Sequence, residues 1–245
     1  MIVADGLEML EISATVMGEL RIIHPTLIWD NDTVILVDTG YPGQLPLIRE
    51  AMEKAGVPFN KLSHVVITHQ DMDHIGSLAA IVKATPQKPE VLSHEEEKPF
   101  IQGERKPIKL NQLKTSLNPL SEEQQNFYET MKANYMKFRA NVDQTLTDGE
   151  ELPYCGGITV IHTPGHTLGH ICLYLKQSKT LITGDALFGA GRLLAHAPVH
   201  FNFDNALAIK SLKKLTQYDI ETVICYHGGL YQDNPNRRIA ELATV

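Results

Sequence analysis

The chain is short of cysteine, of excess positive charge and of long apolar runs, and each shortage removes a class of protein. Its three cysteines, Cys155, Cys172 and Cys225, form no CxxC pair and are too scattered for a disulfide framework. Cys225 closes the apolar run Thr222-Val223-Ile224 and reads as a small buried thiol. Lys and Arg number 22 against 29 Asp and Glu, and the net charge of -7 argues against a surface that gathers nucleic acid or anionic lipid. No apolar run approaches the roughly 18 residues that a membrane helix needs. The first residues, Met1 to Gly6, lack the basic start and apolar stretch of an export signal. No repeat, low-complexity tract or linker divides the chain. The expectation is therefore one domain over residues 1–245, cytoplasmic, acting on a small molecule, with no nucleic-acid or membrane partner; a homodimer is compatible with all of this.

With 43% apolar residues, the composition is that of an ordinary globular protein. Apolar, β-branched runs at about Ile22 to Ile28, Thr33 to Val37, Val65 to Thr68, Thr159 to Thr163, Ile171 to Leu175, Leu181 to Thr183 and Thr222 to Cys225 predict strands. Helical faces lie between some of them. Leu45, Ile48, Met52 and Ala55 share a side and stop at Gly56, and Leu207, Ser211, Leu212 and Leu215 follow an N-cap at Asp204. Strands mixed with helices in the early and late thirds suggest sheets covered on their outer faces. From about 94 to 142 the chain turns charged and helical: Ser121 and Gln124 fit a capping box, and Phe127, Met131, Tyr135 and Phe138 form one stripe. Such an excursion packs on the core and can also roof a site.

The chemistry begins at Thr68-His69-Gln70-Asp71-Met72-Asp73-His74, where two histidines and two aspartates follow an apolar run. Imidazole and carboxylate suit divalent cations, and alternate residues of a turn can aim at two neighbouring points. His69 and Asp71 can face one ion, with Asp73 and His74 turned toward another. Three later runs end in the same chemistry: His162-Thr163-Pro164-Gly165-His166, Leu181-Ile182-Thr183-Gly184-Asp185, and Val223-Ile224-Cys225-Tyr226-His227. Ligands at successive strand ends converge on one edge of the sheets.

That order, with the turn Asp38-Thr39-Gly40 upstream, resembles the metallo-β-lactamase superfamily over roughly residues 20 to 230. The resemblance implies an αβ/βα four-layer sandwich, two β-sheets flanked by helices, with two divalent metal ions in the cleft at the sheet edges. By position it implies His69, Asp71 and His166 on the first metal, Asp73, His74 and His227 on the second, and Asp185 bridging them. Asp38 falls on a turn residue that supports the site by hydrogen bonding. The implied activity is hydrolysis by a metal-bridging hydroxide, with Asp73 and Asp185 as catalytic carboxylates.

Most members carry HxHxDH where this chain reads HxDxDH. Asp71 adds a hard, anionic oxygen and brings the formal charge of a two-ion, hydroxide-bridged core down by one unit to neutrality. Zinc is the first expectation, and Asp71 shifts preference toward manganese or iron. His162 and His170 read as supports for His166. Phe188, Arg192, His196 and His200, after Asp185, are the candidates for substrate contact. The strings around His166 and Asp185 resemble glyoxalase II, a thioesterase, whereas the length and single helical excursion are similar to acyl-homoserine lactonases. Phe188 stands where the lactonases have a tyrosine that assists the carbonyl oxygen. A small carboxylic ester or lactone is the expected substrate, with thioesterase, phosphodiesterase and a non-catalytic metal-binding sensor as alternatives.

Overall fold

The computed structural model describes residues 1–16, 18–110, 121–191 and 193–244. The strands run β1 (Ile2–Ala4), β2 (Leu7–Met9), β3 (Ile12–Val16), β4 (Glu19–Ile23), β5 (Thr26–Trp29), β6 (Val34–Val37), β7 (His64–Ile67), β8 (Glu90–His94), β9 (Gln144–Leu146), β10 (Glu151–Leu152), β11 (Ile158–His162), β12 (Ile171–Leu175), β13 (Thr180–Ile182), β14 (Leu187–Ala190), β15 (Leu193–His196), β16 (Thr222–Cys225) and β17 (Gly229–Tyr231). The helices are α1 (Leu45–Lys54), α2 (Met72–Ile75), α3 (Leu78–Ala84), α4 (Lys98–Ile101), α5 (Glu122–Phe138), α6 (Asn205–Leu215) and α7 (Pro235–Leu242). Residues 108–110 are also helical.

One sheet has the order β1-β2-β5-β6-β7-β8-β9 and the other β10-β11-β12-β13-β16-β17. Side-chain alternation along the strands separates four layers. In β7, Val65 and Ile67 join a cluster with Ile48 and Met52 of α1 and Ile81 of α3, while Val66 faces the opposite way. In β12, Ile171, Leu173 and Leu175 meet Val66 and Leu92 of the first sheet, while Cys172 and Tyr174 turn toward Leu212 and Leu215 of α6 and Ile239 of α7. Strands buried on both faces read as continuous apolar runs, which is why the sequence exposes them so plainly.

The run expected at Ile22 to Ile28 is two strands. Pro25 has no amide hydrogen to give a ladder, and the chain leaves the β3–β4 hairpin there to enter the main sheet as β5. The segment after Asp185 forms the hairpin β14–β15, in which Phe188 pairs with Ala195 and Leu187 with His196. The helical faces expected for α1 and α6 are found, with Asp204 accepting from the Leu207 amide at 2.9 Å. The Ser121–Gln124 capping box opens α5. Tyr135 lies buried and its hydroxyl donates to Phe100 O and, at 2.9 Å, to Arg105 O, tying α5 back to α4; the Phe127 and Met131 side chains of the expected stripe lie outside the described ones. Among the described residues no helix is long and apolar enough to cross a membrane.

Candidate metal centre

Parallel pairing sets the site's foundation. Val37 lies opposite Val66, so that β6 and β7 end together and Asp38 comes beside Thr68. Asp38 takes a left-handed conformation, φ 62°, uncommon for a residue with a side chain. Its carboxylate accepts from the Thr68 amide at 2.9 Å, the Thr68 hydroxyl at 2.8 Å and His74 Nδ1 at 2.8 Å. Asp38 thus supports the cluster from behind, as the resemblance implied. The turn between β11 and β12 carries His166, β13 ends shortly before Asp185, and β16 ends just before His227. Gly184 has φ +48°, and a Cβ there would lie 2.8 Å from His170 Nε2 and 3.0 Å from Thr68 Oγ1, so only glycine lets Asp185 turn inward.

All seven expected ligands come together, in two groups that could each hold a metal ion: His69, Asp71, His166 and Asp185, all buried, and the buried His74 with the half-buried Asp73 and His227. In the first, Asp71 Oδ2 lies 3.1 Å from both His69 Nε2 and His166 Nε2. In the second, Asp73 Oδ2 lies 3.1 Å from His227 Nε2 and 3.9 Å from His74 Nε2. Asp185 turns one oxygen to each: Oδ2 is 3.3 Å from His166 Nε2, and Oδ1 is 3.3 Å from His74 Nε2 and 3.5 Å from His227 Nε2.

The donor set fits divalent cations on two grounds. Nδ1 of His69 meets Thr68 Oγ1 at 3.0 Å, Nδ1 of His166 meets Asn202 Oδ1 at 3.1 Å, and Nδ1 of His74 meets Asp38, so each imidazole spends its N–H outward and presents Nε2 as an acceptor. Second, His74 Nε2 and Asp185 Oδ1 are buried and have no hydrogen-bond partner. Acceptors facing acceptors in a buried site call for a cation. Without a metal ion, protons on the second group's imidazoles take that place. Burial pushes His227 down, yet Asp185 and Asp73 carry it up to about 10; His74, equally opposed by burial, is carried well above its ordinary value by Asp38, Asp185 and Asp73. His69 is instead driven down to about 4 by burial and by the charge on His74.

The flanking histidines His162 and His170 fall outside both groups and bond to the framework rather than to His166. His170 accepts from the Asp185 amide at 3.0 Å and meets Thr163 Oγ1 at 2.9 Å, while His162 stacks on His94 with ring centres 4.0 Å apart. The four substrate candidates divide. The Phe188 ring lies 4.9 Å from that of His227, at the centre's edge. His200 is exposed and packs on Phe201, 4.2 Å between ring centres. His196, at the end of β15 opposite Leu187, has its pKa lowered by burial and then by the Arg238 guanidinium of α7. Arg192 lies outside the described residues.

Two residues of the 94–142 excursion were missed. Glu97, fully buried, accepts from the Gln70 amide at 2.8 Å and the Gly169 amide at 2.7 Å, joining the loop of the first motif to the turn that carries His166. Lys109 reaches into the first pocket, its ammonium bonded to Asp71 Oδ2 and 2.8 Å from His166 Nε2. Nothing local in the sequence marks either one; each is placed by contacts distant along the chain.

A four-layer sandwich with a two-pocket His/Asp centre at its sheet edges defines a class of metal-dependent hydrolases. The metallo-beta-lactamase superfamily model matches residues 18–227, and the chain belongs to that superfamily. It is 26% identical over 211 residues to the probable metallo-hydrolase YflN of Bacillus subtilis, covering 79% of this chain and 75% of that one. It is 29% identical over 203 residues to the hydroxyacylglutathione hydrolase of Idiomarina loihiensis, covering 81% of this chain but only 57% of that one. A metallo-beta-lactamase family protein of Thermus thermophilus superposes with a TM-score of 0.70 over 99% of this chain and 79% of that one, at 20% identity, a likeness of fold alone.

Proposed function

We propose that the protein hydrolyses a small carboxylic ester or lactone, with His69, Asp71 and His166 as ligands of one divalent ion, Asp73, His74 and His227 of a second, and Asp185 of both. Bound there, the ions would supply a water acidified to near-neutral pKa and a Lewis acid for the substrate oxygen. The rest falls to side chains. Asp73 is 19% exposed, faces the cleft, and has its backbone carbonyl held by the Tyr226 hydroxyl, so its carboxylate can take a proton from the attacking water and return it to the leaving oxygen. Asp38, Thr68 and Asn202 keep the imidazoles in the tautomer that presents Nε2.

The observation that carries the choice of bond is the aromatic rim. Phe188 flanks His227, and the exposed Phe201 stands over Lys109, 5.6 Å from its Nζ to the ring centre. An aromatic edge of this kind suits an apolar acyl group. Thioester cleavage is the second reading, favoured by the likeness to hydroxyacylglutathione hydrolase. Turnover by zinc- and manganese-reconstituted protein on matched ester, lactone, thioester and phosphodiester substrates tests both: the ester or lactone is expected to lead, and a dominant phosphodiester rate would overturn the reading.

A further inference from the structure

The first pocket already holds a cation of its own. With Nδ1 of His69 and His166 spent on Thr68 and Asn202, the two Nε2 atoms each lie 3.1 Å from Asp71 Oδ2, three acceptors around one point. The Lys109 ammonium sits against that point, donating to Asp71 Oδ2 and to His166 Nε2. Its placement is built. The amide of Ile108 donates to Gln70 Oε1 at 3.2 Å, Gln70 is the residue between His69 and Asp71, and Gln70 is in turn held by Glu97. The stretch that delivers the lysine is therefore fastened to the loop that delivers the ligands. The second pocket has no lysine or arginine paired into it among the described residues; its Asp73 and Asp185 carboxylates face the imidazoles of His74 and His227.

We propose that Lys109 is an internal competitor for the first metal pocket: the chain takes one divalent ion readily, at Asp73, His74, His227 and Asp185, and a second only when the Lys109 ammonium is displaced from Asp71 and His166. This rests on the metal reading of the site and adds an order of filling to it. The electrostatics support competition rather than exclusion. An ammonium brings one charge and three donors where a divalent ion brings two charges and open coordination, so a second ion can win at a cost in apparent affinity. The Lys109 side chain is 30% exposed, which leaves it a path outward. Asp71 and Lys109 also answer one another: an anionic ligand stands where most relatives have a neutral histidine, beside a lysine that matches its charge.

The test is the stepwise binding of Zn2+ and Mn2+ to chelator-stripped full-length protein, followed by competition with a chromophoric chelator and counted by native mass spectrometry. The wild type is expected to bind a second equivalent at least about tenfold more weakly than the first. Lys109→Met, which keeps the apolar stem, should narrow that gap by about tenfold or more, and Lys109→Arg should preserve it. A measurement on the wild type alone guards against misfolded variants: acylation of Lys109 should stay slow through the first equivalent and quicken with the second. Two equivalents of equal affinity, unchanged in Lys109→Met, would overturn the competitor and leave the metal centre standing. Failure to bind zinc or manganese at all would overturn both.

Discussion

The two halves of the centre share one bridging carboxylate and differ in almost everything else. The first pocket is buried, ringed by three acceptors that already share a lysine, and braced by Glu97 from the excursion. The second is more open, with His227 at 24% exposure and Asp73 at 19%, and its carboxylates face imidazoles rather than a lysine. The first is arranged to hold its shape without a metal. In the second, protons on His74 and His227 stand where an ion would. Asp73 and the Phe188 ring both lie on the second side, beside His227.

The largest effect that breaks this comparison comes from Asp185, the group both pockets use. Asp185→Asn should lower turnover by more than about a hundredfold with the circular-dichroism spectrum unchanged, and His166→Ala and Asp73→Asn should do the same by damaging one pocket each. Near-normal rates in any of the three would mean that the site is wrongly assigned. Asp38→Asn is more selective. It removes the charge behind His74, and chelator competition should show the second pocket weakened by about 10- to 100-fold with little change in the first. An equal loss at both pockets would contradict the asymmetry.

Asp71→His sharpens the comparison from the other side. It takes away the carboxylate that holds Lys109 and supplies a softer ligand, so metal analysis of protein purified without added metal should move from manganese or iron toward zinc. Full two-zinc occupancy unaffected by the swap would sink the preference. The smallest effect concerns the base of the His166 turn. His94, stacked on His162, is pushed down to about 4 by burial and by that neighbour. The folded protein therefore binds this proton later than the unfolded chain does. Its contribution to stability is complete above about pH 6.5 and is lost as the pH falls toward about 4. Denaturant midpoints measured at pH 7 and pH 4.5 should differ less in His94→Phe than in the wild type.

Much of this centre was legible because ligands at strand ends are written locally. Runs such as His64-Val65-Val66-Ile67 and Thr222-Val223-Ile224-Cys225 announce buried strands, and the His or Asp after each run must emerge at a sheet edge. Asp38 was legible for the same reason, as a turn residue after β6. The hairpin β14–β15 was not, since Leu187-Phe188-Gly189-Ala190 carries neither alternation nor β-branched residues, and its partner strand fixes it. Lys109 and Glu97 were missed for a related reason. A lysine or glutamate in a charged helical stretch reads as solvated surface, and only the bond from Ile108 to Gln70 and those from Gln70 and Gly169 to Glu97 turn these two inward.

Turnover that follows the metal is the most direct test of this centre. Protein stripped by chelator should lose ester and lactone hydrolysis, and should regain it in proportion to the zinc or manganese restored, with Asp185→Asn failing to regain it at any loading. Hydrolysis that persists in stripped protein at the reconstituted rate, or a fully loaded protein silent toward ester, lactone, thioester and phosphodiester alike, would contradict it.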